Sequence, residues 1–151
     1  MSYNAKTLKP IFNKWVDRLR LKDWTLTLKV VPVAPMDGQP LAGKVDKDSA
    51  NRLAIISISD GLPSPTSLWH AATGHDGLRM AEQTIIHELF HVLEEPLRNN
   101  LAETVDEILG KNSPQSMLLW NAFYRYAEHM ANSVSAILLE ADRREHDWKD
   151  S

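Results

Sequence analysis

The stretch that decides the fold is Thr84-Ile85-Ile86-His87-Glu88-Leu89-Phe90-His91-Val92-Leu93. On a helical wheel five of its apolar residues share one arc: Ile85, Ile86, Leu89, Val92 and Leu93. His87, Glu88 and His91 fall on the opposite side. An amphipathic pattern of this kind predicts a helix with one face on a core and a polar face free for chemistry. We predict that this helix begins after Asp76 and is ended by Pro96.

The two histidines of this helix have the spacing of metal ligands. Residues four apart lie side by side on a helix, about 5–6 Å apart at Cβ, so His87 and His91 can reach one ion. Glu88 is rotated by roughly 100° from His87 and can approach a water molecule on that ion. The pattern predicts a zinc site in which His87 and His91 are ligands and Glu88 is the general base that takes a proton from the activated water.

The third protein ligand must come from another part of the chain. The chain contains no cysteine, so only histidines and carboxylates are available. The Gly and His that extend the motif in metzincins are absent after His91. Glu128 is preferred, because it lies at the margin of the apolar arc of a long downstream helix. That arc is predicted to comprise Trp120, Phe123, Ala127, Ala131, Val134, Leu138 and Ala141. The alternatives that stay open are His129, Glu95, Glu103, Glu107, His70 and His75.

The order of the remaining elements predicts a single α+β domain over residues 1–151. The first predicted element is a helix from Thr7 to Leu21 with Pro10 in its first turn. Strands are predicted at Trp24–Val30, Leu41–Val45 and Leu53–Ser59. Two further helices are predicted after the central one: a short helix around Leu101–Leu109 that is ended by Gly110, and a helix from Pro114 to the early 140s that is broken at most once. Two loops, Pro32–Pro40 and Asp60–Asp76, are rich in proline and glycine.

Together these residues resemble the gluzincins, and in particular the minimal metallopeptidases seen in phage and prophage genomes. The resemblance is carried by His87, Glu88, His91 and Glu128, with Trp24–Leu26 and Leu53–Ser57 as preceding strands. It implies a zincin-like fold, in which a small antiparallel or mixed sheet packs against the active-site helix and further helices. It also implies that Asn132 takes the position of a residue that steadies a zinc-bound histidine, and that Leu53–Ser59 is the sheet edge to which a peptide adds.

Composition excludes several other classes. The formal net charge is −3, which gives no overall field that attracts nucleic acid. No apolar leader and no stretch of about 20 apolar residues is present, so we expect no membrane partner and a soluble, cytoplasmic protein.

The leading functional expectation is therefore a zinc metallopeptidase that acts on a peptide or protein substrate. Two alternatives keep the zinc: an amidohydrolase of a non-peptide substrate, and a partner-binding domain with little or no turnover. A third is a helical domain without metal. No residue is singled out for stabilising the oxyanion, although several are chemically able: Tyr124, Tyr126, Arg125, His129, His70 and His75. The oligomeric state is left open.

Overall fold

The computed structural model describes residues 4–31, 35–36, 39–40, 43–59 and 77–149. In chain order they form α1 (Ala5–Arg18), β1 (Thr25–Val31), β2 (Pro35–Met36), β3 (Gln39–Pro40), β4 (Gly43–Asp48), β5 (Leu53–Ser59), α2 (Gly77–Leu93), α3 (Glu95–Leu109) and α4 (Pro114–Lys149). The predicted α+β class is confirmed. The loop Asp60–Asp76, the Asp76 cap and Leu41 lie outside the described residues, as does most of Pro32–Pro40.

A mixed three-stranded sheet has the order β1-β5-β4. β5 pairs in parallel with β1, where Leu53 faces Thr25, and antiparallel with β4, where Ile58 faces Gly43. The prediction that Leu53–Ser59 is the sheet edge is therefore wrong, because β5 is the central strand. Its nearly continuous burial from Ala54 onward is what a strand flanked on both sides shows, and β4 is the outer strand beside it.

Helix α1 begins two residues earlier than predicted. The Asn4 side chain accepts a hydrogen bond from the Thr7 backbone N–H at 3.0 Å and caps the helix. Pro10 consequently lies inside the helix instead of in its first turn. The helix also ends earlier than predicted, at Arg18, and Arg20 has a positive φ of 57°.

The turn between α2 and α3 differs from the prediction in one respect. α2 ends at Leu93, and Pro96 lies in the first turn of a new helix, where proline is well tolerated. α3 is thus longer than the short helix predicted around Leu101–Leu109. Its last residue is Leu109, and Gly110, which has a φ of 81°, ends the helix as predicted.

Helix α4 is one unbroken helix of 36 residues, so the break that the prediction allowed does not occur. Its buried residues are Ser116, Ala127, Ala131, Ser135, Leu139 and Asp142. Ala141, predicted to be buried, is exposed. From Ala127 to Leu139 the buried positions advance by four residues, and such a row is inclined to the helix axis, as expected for a helix that crosses its neighbour.

The core lies between the sheet and the helices, with α2 at its centre. α2 contacts β4 and β5 on one side and both α1 and α4 on others. The core includes the following fully or almost fully buried residues: Leu8, Phe12, Trp15, Ile56, Ile58, Ile85, Ile86, Leu89, Val92 and Leu139. No helix in the described part of the chain is long and apolar enough to cross a membrane.

A polar clamp joins three helices at the border of this core. It consists of Lys14 and Arg18 on α1, Glu82 on α2 and Asp142 on α4. Lys14 Nζ lies 2.6 Å from Glu82 Oε1 and 3.1 Å from Asp142 Oδ2, and Arg18 pairs with the second oxygen of Asp142. Burial disfavours the Asp142 carboxylate, but the hydrogen bonds and charges of the two α1 cations outweigh it and lower the pKa of Asp142 below its ordinary value.

Candidate metal centre

His87 and His91 lie on the same face of α2, as their spacing predicts. Their Nε2 atoms are 3.2 Å apart, and the ring centroids are separated by 4.9 Å. The His91 side chain is only 7% exposed and that of His87 15% exposed. Two imidazole nitrogens at this distance therefore converge on one point at the edge of the core.

Glu128 of α4 brings a carboxylate to the same point. Its Oε1 atom lies 2.9 Å from His91 Nε2, and its Oε2 atom lies 3.3 Å from His87 Nε2. α4 approaches α2 closely because the residues next to Glu128 on its inner face are small, namely Ala127, Ala131 and Ser135. Glu128 stands beside this face and remains 57% exposed.

These three residues are close enough to hold a metal ion. Each offers one ligand atom, and the three atoms lie within 4.8 Å of one another. Ligands of a tetrahedral zinc ion, with bonds of about 2.0–2.1 Å, are roughly 3.3 Å apart. The 3.2 Å between the two Nε2 atoms matches this spacing, and each histidine has one Glu128 oxygen at 2.9 or 3.3 Å. Two imidazoles with one carboxylate form a donor set that zinc accepts.

Glu94 is a functional candidate that the sequence did not reveal. Its Oε1 atom lies 2.8 Å from His91 Nδ1, and its side chain is 9% exposed. A carboxylate that holds the second ring nitrogen of a histidine fixes the tautomer and leaves the first nitrogen free for a metal. Glu94 can take this position because it lies in the turn between α2 and α3, one helical turn after His91. The only sequence signal was the i,i+3 spacing of the two residues.

Asn132 of α4 is placed beside the other histidine. Its side chain is near enough to the His87 imidazole to favour the protonated form and so acts to raise the pKa of His87. Burial lowers the pKa of His87 despite the opposing effects of Glu128 and Asn132, so the neutral imidazole is favoured. Neutral imidazole is the form that binds metals.

Glu88 lies next to the ligands but faces the sheet. It is 7% exposed, and a Cβ atom at Gly43 of β4 would lie only 3.3 Å from its Cγ atom. Burial and the nearby charge of Glu128 raise the pKa of Glu88 to about 8, although Lys47 opposes the shift. Its carboxyl group therefore changes protonation state near neutral pH.

The other predicted ligands do not join this group in the described part of the chain. His129, Glu103 and Glu107 are exposed on their helices, and His70 and His75 lie outside the described residues. Glu95 is buried, but it pairs with Lys47 and accepts a hydrogen bond from Ser49 Oγ at 2.6 Å.

Four of the residues considered for the oxyanion lie on α4, namely Tyr124, Arg125, Tyr126 and His129, whereas His70 and His75 lie outside the described residues. Tyr124 and Tyr126 are 53% and 71% exposed, and Arg125 is exposed as well. None of these three has a contact in the described structure that selects it for this role.

Comparison with known proteins gave no match to this chain, either with protein-family models or in searches of curated proteins and solved structures.

Proposed function

We propose that this protein is a zinc-dependent peptidase of the gluzincin type, with His87, His91 and Glu128 as the metal ligands and Glu88 as the general base. The observation that carries the proposal is the convergence of the three ligand atoms within 4.8 Å of one another, beside a buried carboxyl group. His87 and His91 lie side by side on α2, and Glu128 belongs to α4, which is distant in sequence. Three metal-binding side chains from two helices are not expected to converge in this way on a surface that only contacts water.

Zinc, when bound at these residues, supplies a Lewis acid that activates water and polarises the scissile carbonyl. The Glu88 carboxylate takes a proton from the water whose oxygen bonds to the carbonyl carbon. It then delivers this proton to the amide nitrogen as the C–N bond breaks. Burial, which raises the pKa of Glu88, makes its carboxylate a stronger base than that of an exposed glutamate.

Glu94 and Asn132 hold the two histidines in this scheme. Each contacts the imidazole of a different ligand, at His91 and His87 respectively. Fixing both rings removes rotational freedom from the ligands before the metal arrives, and this preorganisation strengthens binding.

We assign the peptide-binding edge of the sheet to β4 in place of β5. β4 is the outer strand of the three-stranded sheet, and its Gly43 lies against Glu88. Main-chain hydrogen bonds to an outer strand hold a peptide in an extended conformation with little dependence on its side chains. This mode favours a peptide over a compact non-peptide amide as the substrate.

The metal site is tested by the zinc content of protein purified without added metal. We expect one zinc ion per chain in the wild type and its loss in His91→Ala and in Glu128→Ala. His129→Ala is the matched control, because His129 follows Glu128 directly but is exposed and outside the ligand group. A wild type that holds no zinc and cannot be reconstituted would overturn the proposal.

Catalysis is tested with a peptide library and the Glu88→Gln variant. We expect the wild type to cleave peptides and the variant to bind zinc normally but to cleave at least about 100-fold more slowly, as for loss of a general base. Equal cleavage by both proteins would contradict the assigned role of Glu88. Binding of a partner protein by both, with no cleavage by either, would identify a binding domain instead.

A further inference from the structure

Arg98 of α3 carries a charge that the described structure does not pair. Its guanidinium carbon lies 4.8 Å from the ring centre of Tyr124 and 5.9 Å from that of Phe123. Its Nε atom is buried and has no hydrogen-bond partner, and the guanidinium forms no ion pair in the described part of the chain. Because the buried Nε atom is out of reach of a solute, a ligand would bind the two terminal nitrogens, which are not buried and have no hydrogen-bond partner in the described part of the chain.

The nearest acidic residue on the same helix does not meet this need. Arg98 helps to lower the pKa of Glu95 through its charge, although burial acts in the other direction. The Glu95 carboxylate, however, is paired with Lys47 and accepts the hydrogen bond from Ser49. The guanidinium group of Arg98 is left with its donors unused.

The position of Arg98 relative to the metal centre follows from the two helices that flank it. The Arg98 backbone N–H donates to the Glu94 carbonyl at 3.1 Å, so Arg98 lies one helical turn beyond the carboxylate that holds His91. Tyr124 lies one turn before Glu128 on α4. Tyr124 and Glu128 are therefore neighbours on one face of α4, with Cβ atoms about 5–6 Å apart, and Arg98 contacts the first of the two.

We propose that Arg98 binds a carboxylate of the substrate, so that the enzyme prefers peptides with an acidic group close to the scissile bond. The inference rests on the proposed peptidase function and names the substrate class of the same site. A guanidinium group binds a carboxylate through two parallel hydrogen bonds, and the Tyr124 ring holds its plane. The carboxylate belongs either to an acidic side chain or to the C-terminus of the peptide.

The proposal is tested with zinc-loaded protein and small hydroxamic acids, which bind zinc. The probes are the monohydroxamates of malonic, succinic and glutaric acid, each compared with its neutral amide, so that the spacer measures the distance to the cation. We expect the wild type to bind at least one carboxylate about 10- to 100-fold more tightly than its amide, the range typical of a hydrogen bond to a charged group. Isothermal titration calorimetry gives both dissociation constants.

Arg98→Met should abolish this preference while the amides bind as before, and Arg98→Lys should retain part of it. Arg125→Met is the matched control, because Arg125 is exposed on α4 next to Tyr124 and should keep the full preference. If Arg98→Met does not fold, Arg98→Gln and Arg98→Lys serve in its place. A preference that survives loss of the guanidinium, or its absence from the wild type, would overturn the proposal.

Failure of the proposed function gives a different result. A chain that holds no zinc would bind neither the carboxylates nor the amides, whereas a chain that binds both equally keeps its metal centre and lacks only the anion site. Peptides that end in a free carboxylate or an amide, and blocked peptides with a central aspartate, then identify the source of the carboxylate. Equal cleavage of all of them would also contradict the inference.

Discussion

The contact between Glu94 and His91 leads to a quantitative prediction about metal affinity. The Glu94 carboxylate is almost fully buried and lies 2.8 Å from His91 Nδ1. When the carboxylate is removed by Glu94→Ala, the imidazole loses the partner that fixes its tautomer and increases its basicity. We expect zinc affinity to fall by roughly 10- to 100-fold, which is about 1.4–2.7 kcal/mol.

Glu94→Gln separates the charge from the hydrogen bond. The amide oxygen still accepts from His91 Nδ1, so the tautomer is retained, but the negative charge is lost. Because hydrogen bonds to charged groups are about twice as strong as neutral ones, this variant should lose roughly half of the binding free energy lost by Glu94→Ala.

The assay is competition for zinc with a chromophoric chelator, and the control is Glu103→Gln, which removes an exposed carboxylate on α3, the helix that follows Glu94. Cobalt substitution adds an absorption spectrum that is sensitive to the ligand geometry. Identical zinc affinity in the wild type and Glu94→Ala would refute the reasoning, since a merely structural carboxylate would change stability and leave the affinity alone.

Three further predictions concern stability and are checked by urea unfolding. Asp142→Asn should cost about 1–3 kcal/mol at neutral pH, between the values for exposed and buried ion pairs. Because the pKa of Asp142 is lowered in the fold, this contribution is present above its ordinary value of 3.8 and is lost as the pH falls below it, so wild type and variant should converge in acid. Gly43→Ala should destabilise by about 1–3 kcal/mol, because the new Cβ would lie 2.7 Å from Thr84 Cγ2, and a second change, Thr84→Ser, should recover part of the loss. Gln83→Met should leave stability unchanged or raise it by about 1 kcal/mol, because Gln83 Oε1 is buried without a partner; a loss of several kcal/mol would contradict this account.

Local patterns in the sequence predicted most of the secondary structure. The alternation in β1, the glycine that ends α3 and the Ser113-Pro114 start of α4 are each set by residues within one or two turns of the feature. The same is true of the pairing of His87 with His91, which needs only a helix.

Features that depend on how elements pack were predicted less well. The strand Leu53–Ser59 was identified with its correct bounds, but its central place in the sheet depends on two partner strands. Ala141 was placed on the buried face by the helical wheel, whereas α4 crosses α2 along an inclined row that passes through Leu139. The contact between Glu94 and His91 was not predicted, because it depends on the conformation of the turn between α2 and α3.

Metal binding at the proposed centre would also depend on the docking of α4. His87 and His91 are brought together as soon as α2 forms, but Glu128 joins them only after α3 has been traversed and α4 has docked. An ion held by all three residues binds the completed arrangement more tightly than any form in which α4 is detached. By mass action it must therefore oppose the detachment of α4. Occupancy of the proposed site would report that α4 has docked, and withdrawal of the ion would loosen the contact between α4 and α2 first.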